Sequence, residues 1–248
     1  MVTPNRGHGL TEDRKTEKLT TEAKHGGCLH QVREQIDHKS EDRSLKDWVK
    51  RALDVLVSGT MLFVLWPVMI VVGALIFMKM GSPVLFRQDR PGLRGEGFEM
   101  LKFRTMVDDP NGLIERPEGV VGDSMRVTPF GAFLRSTSLD ELPELINVFK
   151  GNMSLVGPRP LLMRYMSHYN DHEMRRHEVK PGITGLAQVE GRNDLSWKER
   201  FDLDVLYVDN WTILGDIRIL FKTLGVALKR DGVDDTVESF DEWMEKRR

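Results

Sequence analysis

The residues best suited to chemistry lie in TSLDELPELINVFKGNMSLVGPRP, 137–160. Asp140 and Glu141 are adjacent carboxylates ahead of a helical apolar period. A helix N-terminus carries partial positive charge and favours an ionised carboxylate. An ionised aspartate can serve as a nucleophile toward phosphorus. Glu141, with Asp140 beside it, could hold a divalent cation. Mg2+ is expected, because it takes oxygen ligands and bridges to substrate phosphates. Downstream, Gly157-Pro158-Arg159-Pro160 is a rigid turn that presents a guanidinium. Upstream, Arg87, Arg90, Lys102, Arg104 and Arg135 supply further cations beside glycine and proline turns. Arginine suits bidentate phosphate binding, and turns of this kind bring backbone N–H groups toward an anion.

A purely structural role competes for the carboxylate pair. Ser138-Leu-Asp-Glu141 matches a capping box. Alternatively Asp140 is itself the N-cap, which puts Pro143 in the first turn, where its missing N–H costs nothing. The proline favours the second register. Taken alone, the stretch allows either a helix start or a reactive pair.

Several elements must position these groups. A helix is expected at about 139–150, with Leu139, Leu142, Leu145, Ile146 and Phe149 on one face and Gly151 closing it. In 81–106, Val84–Phe86 and Phe98–Phe103 read as strands joined by PGLRGEG, a short β-hairpin. Residues 107–130 read as loop, 160–176 as helix, and PGITGLAQVEGRN at 181–193 as loop plus short strand. Helices follow at 196–209 and 215–230. In the second, Ile217, Leu220, Phe221 and Leu224 share a face, which suits a core helix or one lying on an anionic bilayer.

The chain has 248 residues, 40% apolar and 30% charged, enough for one folded domain with appendages. A net charge of -2 argues against nucleic acid as a partner, so an anionic ligand must meet a local cluster. A single cysteine, Cys28, excludes an internal disulfide. Residues 53–78 are almost wholly apolar, with Asp54 at the edge and no further charge until Lys79. Such a run reaches membrane depth. It starts too far along the chain for a cleaved signal. Lys50 and Arg51 before it and Lys79 after it weaken the positive-inside signal for a crossing. Pro67, near its middle, removes a helical hydrogen bond. A kinked span and a re-entrant hairpin both fit. The expected division is a disordered polar tail at 1–44, a membrane anchor at 45–80, a catalytic domain at 81–230 and a charged, peripheral segment at 231–248. In the tail, His25, Cys28 and His30 fit no closed zinc pattern.

Four stretches together carry a resemblance: KRALD at 50–54, FRQDRPGLRGEGFEMLKFRTM at 86–106, TSLDELPELINVFKGNMSLVGPRPLL at 137–162 and KPGITGLAQVEGRN at 180–193. The chain resembles the small monotopic bacterial sugar transferases that act on polyprenyl phosphate. The resemblance implies an α+β protein: a Pro-broken membrane helix, then a small, mostly helical domain with a β-hairpin and amphipathic interfacial helices. It implies transfer of a phosphosugar from a UDP-sugar to polyprenyl phosphate, with Asp140 as nucleophile and Glu141 binding Mg2+. Arg159 and Arg135 would bind phosphate. Lys50, Arg51 and Asp54 would lie near the polyprenyl phosphate. Gln188, Arg192 and Asn193, in QVEGRN, would lie near the nucleotide sugar. The chain would sit on the cytoplasmic face of the bacterial inner membrane, with room for a homodimer along its apolar helix. One departure stands out: the family's helix break often has serine before proline, and here it is Trp66-Pro67. A membrane-anchored scaffold and a direct-displacement transferase remain the competing functions.

Overall fold

The computed structural model describes residues 10–107, 126–191, 195–228 and 240–245, with side chains from residue 45 onward except 226–228, 241 and 242. The chain divides into two compact units, Met1–Val49 and Lys50–Arg248. Helix α1 (Leu10–Met80) begins in the first. The stretch 10–44, expected without regular structure, is therefore helical. Its Glu, Lys and Arg content has high helix propensity.

The second unit begins with the apolar part of α1. Leu45–Met80, nearly all of it in this unit, is long and apolar enough to cross a membrane. Pro67 lies inside the continuous helix rather than between two helices. One face of this part packs inward. Leu62 and Leu65 pack on the core containing Met100, Leu145 and Val156. Val72 and Ile76 join Phe103 and Leu134 in a second core. The opposite face, including Phe63, Trp66 and Ile70, is exposed.

Strands β1 (Leu85–Pro91) and β2 (Gly97–Phe103) form the expected hairpin, in register from Leu85–Phe103 to Pro91–Gly97. Helix α2 (Pro129–Ser136) falls largely beyond the expected loop and was not anticipated. Its signal was local: Thr128 caps it by accepting from the Gly131 N–H, and Pro129 occupies the first turn. The helix expected at 139–150 is a 3-10 turn, Leu139–Glu141, followed by α3 (Glu144–Lys150).

Strand β3 (Ser154–Val156) pairs in parallel with β4 (Gly182–Thr184). This small pair joins two motifs that lie far apart in sequence. A Cβ on Gly182 would stand 2.1 Å from the Gly157 nitrogen, and one on Gly157 would stand 2.3 Å from the Lys180 carbonyl oxygen. Only glycine permits that approach.

The helix expected at 160–176 is instead three short pieces: 3-10 turns at Met163–His168 and Arg175–Glu178 flank α4 (Asp171–Met174). Asn170 restarts the helix with a capping box to Glu173. Helices α5 (Leu186–Glu190), α6 (Trp197–Asp209), α7 (Ile213–Leu228) and α8 (Phe240–Glu245) complete the described chain. On α7, Ile217, Phe221 and Leu224 are exposed, while Asp216 and Ile219 face inward. Asp216 is drawn in because it accepts from Lys50, Tyr207 and Trp211. Of the stripe that suited either a core or a bilayer face, three residues point outward and Leu220 packs on the core.

Candidate active site

Ser138 adopts a left-handed φ of 54° and makes no side-chain cap, so the capping box is not formed. Asp140 sits within the 3-10 turn rather than at an N-cap. Neither structural role for the pair is realised. Holding a non-glycine residue in this region costs on the order of 1 kcal/mol, which the surrounding packing must offset.

Strand β2 is fixed against α3 by Asn147, which accepts from the Leu101 N–H at 3.0 Å and donates to the Glu99 carbonyl at 2.7 Å. This bridge brings Lys102, on β2, over two carboxylates. Its Nζ lies 2.7 Å from Glu141 Oε1 and 3.1 Å from Glu144 Oε1. Arg159, just after β3, reaches the same Glu141 oxygen at 2.9 Å. Burial opposes ionisation of Glu141, but Arg159 and Lys102 outweigh it and hold its pKa down at about 2. Burial pushes Glu144 up to about 7, with Lys102 opposing and Glu141 adding to the rise.

Asp140 is 7% exposed, and among the described residues its carboxylate makes no hydrogen bond. Burial, then the negative charge of Glu141, raises its pKa, while Lys102, Arg135 and Arg159 pull the other way. The helix-dipole expectation of a favoured anion is therefore corrected, because desolvation dominates. A less solvated carboxylate is a stronger nucleophile once ionised.

The remaining predicted residues divide. Arg135 is exposed on α2, donates from Nε to Thr105 Oγ1 at 3.1 Å, and adds positive potential at Asp140. Arg90 donates to the Pro160 carbonyl at 3.3 Å and to Gln88 Oε1 at 2.6 Å. Burial first, then the Arg159 charge, pushes it down to about 10. Arg87 is not part of the cluster; it pairs with Glu99 on the open side of the hairpin. Arg104 is buried and donates to the carbonyls of Met80, Gly81 and Ser82, closing the C-terminal end of α1. Lys50, Arg51 and Asp54 also hold protein rather than standing free. Lys50 donates to the Val156 carbonyl and Asp216, and Arg51 donates to the Val148 and Phe149 carbonyls. Asp54 accepts from Ser154 Oγ and the Leu155 N–H. Gln188 donates to the Ile183 carbonyl on α5's approach. Arg192 and Asn193 lie outside the described residues.

Comparison with known sequences decides the family. The profile described as bacterial sugar transferase matches residues 45–230. The chain belongs to the bacterial sugar transferases. It is 45% identical over 188 residues to the "Uncharacterized sugar transferase EpsL" of Bacillus subtilis (strain 168), covering 76% of this chain and 91% of that one. It is 40% identical over 198 residues to the "Undecaprenyl-phosphate galactose phosphotransferase" of Salmonella typhimurium (strain LT2), covering 75% of this chain. The "UDP-glucose:undecaprenyl-phosphate glucose-1-phosphate transferase" of Xanthomonas campestris pv. campestris is 40% identical over 215 residues, 79% of this chain. The aligned parts are only 41% and 44% of those two longer relatives.

In this sugar transferase, sequence reasoning missed Glu144, Asn147 and Arg176. Glu144 lies one turn after Asp140, a spacing that could have marked it as sharing the same side. Arg176 is fully buried, pairs with Asp204 at 2.7 Å and donates to the Arg159 carbonyl at 2.7 Å. No local pattern marks it, because its partners come from distant segments.

Proposed function

We propose that this enzyme transfers a phosphosugar from a UDP-sugar to undecaprenyl phosphate through a covalent intermediate on Asp140. The names of the relatives support the substrates. The observation that carries the chemistry is a buried carboxylate, without hydrogen bonds among the described residues, beside a carboxylate clamped by Lys102 and Arg159.

In the first displacement, an Asp140 oxygen bonds to the sugar-linked phosphorus, and the bond from that phosphorus to the bridging oxygen breaks. UMP leaves with the electron pair. In the second, an oxygen of undecaprenyl phosphate bonds to the same phosphorus. The acyl-phosphate bond breaks and the carboxylate of Asp140 is restored. Splitting the transfer lets one nucleophile serve a soluble donor and a lipid acceptor. Arg159, Lys102 and Arg135 stabilise charge around the phosphoryl group.

Mg2+ fits the donor set present. Glu141 Oε1 is engaged by two cations, and among the described residues no hydrogen bond reaches its Oε2 or Asp140. Glu141, with Asp140 beside it, would hold the ion, which would offset repulsion between the carboxylate and the diphosphate when bound.

The anchor is proposed to enter and leave the bilayer on its cytoplasmic face. From Asp54 to Ile76 a straight helix covers roughly 30 Å, about the bilayer's apolar thickness. Yet Asp54 binds the β3 segment, and Ile76 packs with Phe103 in the same compact unit. A full crossing would carry that unit through the hydrocarbon. Pro67 leaves the Phe63 carbonyl without its helical donor and so supplies a place to bend.

The test uses purified protein, a panel of UDP-sugars and undecaprenyl phosphate, scored for UMP and for a phosphosugar adduct on residue 140. Wild type should give both, and Asp140→Asn neither. Full turnover by the Asn variant would defeat the assignment; turnover of wild type with no trappable adduct would favour direct displacement.

A further inference from the structure

The segment 231–248, expected to be peripheral, contains α8, which lies beyond the family match at 45–230. Phe240 is 2% exposed. Its ring stacks on Tyr165 at 3.8 Å between centroids and meets Trp197 edge-on at 5.1 Å. Trp243, one turn later, lies 5.7 Å from Phe201. An addition outside the shared core thus ends inside an aromatic cluster of that core.

The cluster backs onto the active-site turn. Leu161, one of its buried members, follows Arg159-Pro160 directly. Phe201 and Tyr169 lie under the Arg176 guanidinium, at 5.4 and 5.9 Å. Arg176 in turn donates to the Arg159 carbonyl. Phe240 touches Tyr169 edge-on at 6.3 Å, so the contact path runs from α8 through the rings and Arg176 to Arg159.

We propose that α8 is a clasp and that Phe240 is a positioning residue, holding Arg159 in place for the phosphates of the nucleotide sugar. This rests on Arg159 as a donor-phosphate ligand. Two contacts fix the turn from behind: Arg176 on its carbonyl and Leu161 against the rings. Removing the Phe240 ring leaves an apolar void beneath both, and packed side chains relax into such a void. Misplacing a guanidinium by a fraction of an ångström weakens charge-assisted bonds to phosphate.

The experiment is a double-mutant cycle on the full chain, with Phe240→Ala, Arg159→Lys and both together, measuring KM for the UDP-sugar and for undecaprenyl phosphate. Phe240→Ala should raise the donor KM about tenfold and leave the acceptor KM within about twofold. In the Arg159→Lys background it should add almost nothing. Equal changes in both KM values, or full additivity in the cycle, would mean that the ring is only structural. If Phe240→Ala melts below the assay temperature, Phe240→Leu carries the same cycle, and its smaller effect must also vanish beside Arg159→Lys. If Arg159→Lys leaves the donor KM unchanged, the phosphate role of Arg159 fails. If Arg159→Lys raises that KM and Phe240 variants do not, the clasp alone fails.

Discussion

Arg159 Nη2 stands 2.9 Å from Glu141 Oε1, so a cation from the second half of the motif closes on a carboxylate from the first. Arg159 is 44% exposed on its side chain, so the pair faces solvent and an arriving phosphate can share the guanidinium. The two neighbouring carboxylates are thereby separated in role: Glu141 stays ionised, and Asp140 is raised by burial.

Replacing Arg159 with alanine removes the foremost influence that holds Glu141 low, so the Glu141 pKa rises. Activity should fall about a hundredfold at neutral pH. The acid limb of kcat/KM should also move to higher pH, because more base is then needed to keep the carboxylates ionised. A pH–rate profile from pH 4 to 9 measures both; an unmoved limb would count against the pairing.

Glu144 gives the opposite sign in stability. Its folded pKa, about 7, lies above the ordinary value of 4.5, so the folded state holds the proton more tightly. Below 4.5 the group favours folding fully, and that contribution disappears as pH rises through 7. Glu144→Gln should therefore stabilise the fold at pH 8 by on the order of 1–3 kcal/mol, seen as a higher Tm, and change stability little at pH 4. Thermal unfolding in detergent at the two pH values decides it.

Arg104 is built into the fold rather than the site, so Arg104→Ala should act on stability. Losing a buried cation from three carbonyls costs about 2–4 kcal/mol. Turnover per folded molecule should stay within about threefold. A variant that folds normally but no longer turns over would return Arg104 to the phosphate site.

Topology has its own readout. With Cys28→Ser as background, Lys46→Cys and Lys79→Cys bracket the apolar helix. Both should react with an impermeant maleimide in inside-out vesicles and neither in right-side-out vesicles. Labelling of one cysteine from each side would establish a crossing.

The adjacent carboxylates, the hairpin and the long apolar helix were legible in the sequence because each depends on local spacing. The Glu141 clamp was half legible: Arg159 and Lys102 were named as cations, but nothing local says that they converge on one oxygen. Arg87 and Arg104 share the same stretch and composition, and only the alternation of β-strand faces and the end of α1 separate their fates. On α7, polarity allowed either a core face or a bilayer face. Asp216 turns the helix, because Lys50, Tyr207 and Trp211 meet it inside, and a partner as distant as Lys50 is not readable from the helix alone. The clasp was invisible for a similar reason, since a charged terminal segment discloses nothing about which distant rings its Phe240 will meet.

The inward face of α1 has a practical corollary. Leu62, Leu65, Val72 and Ile76 belong to the same interior as Met100, Phe103 and Leu134. A version trimmed of its anchor to make it water-soluble would uncover two greasy clefts where the helix used to lie. It should clump rather than crystallise, so detergent or lipid belongs in the preparation from the first step.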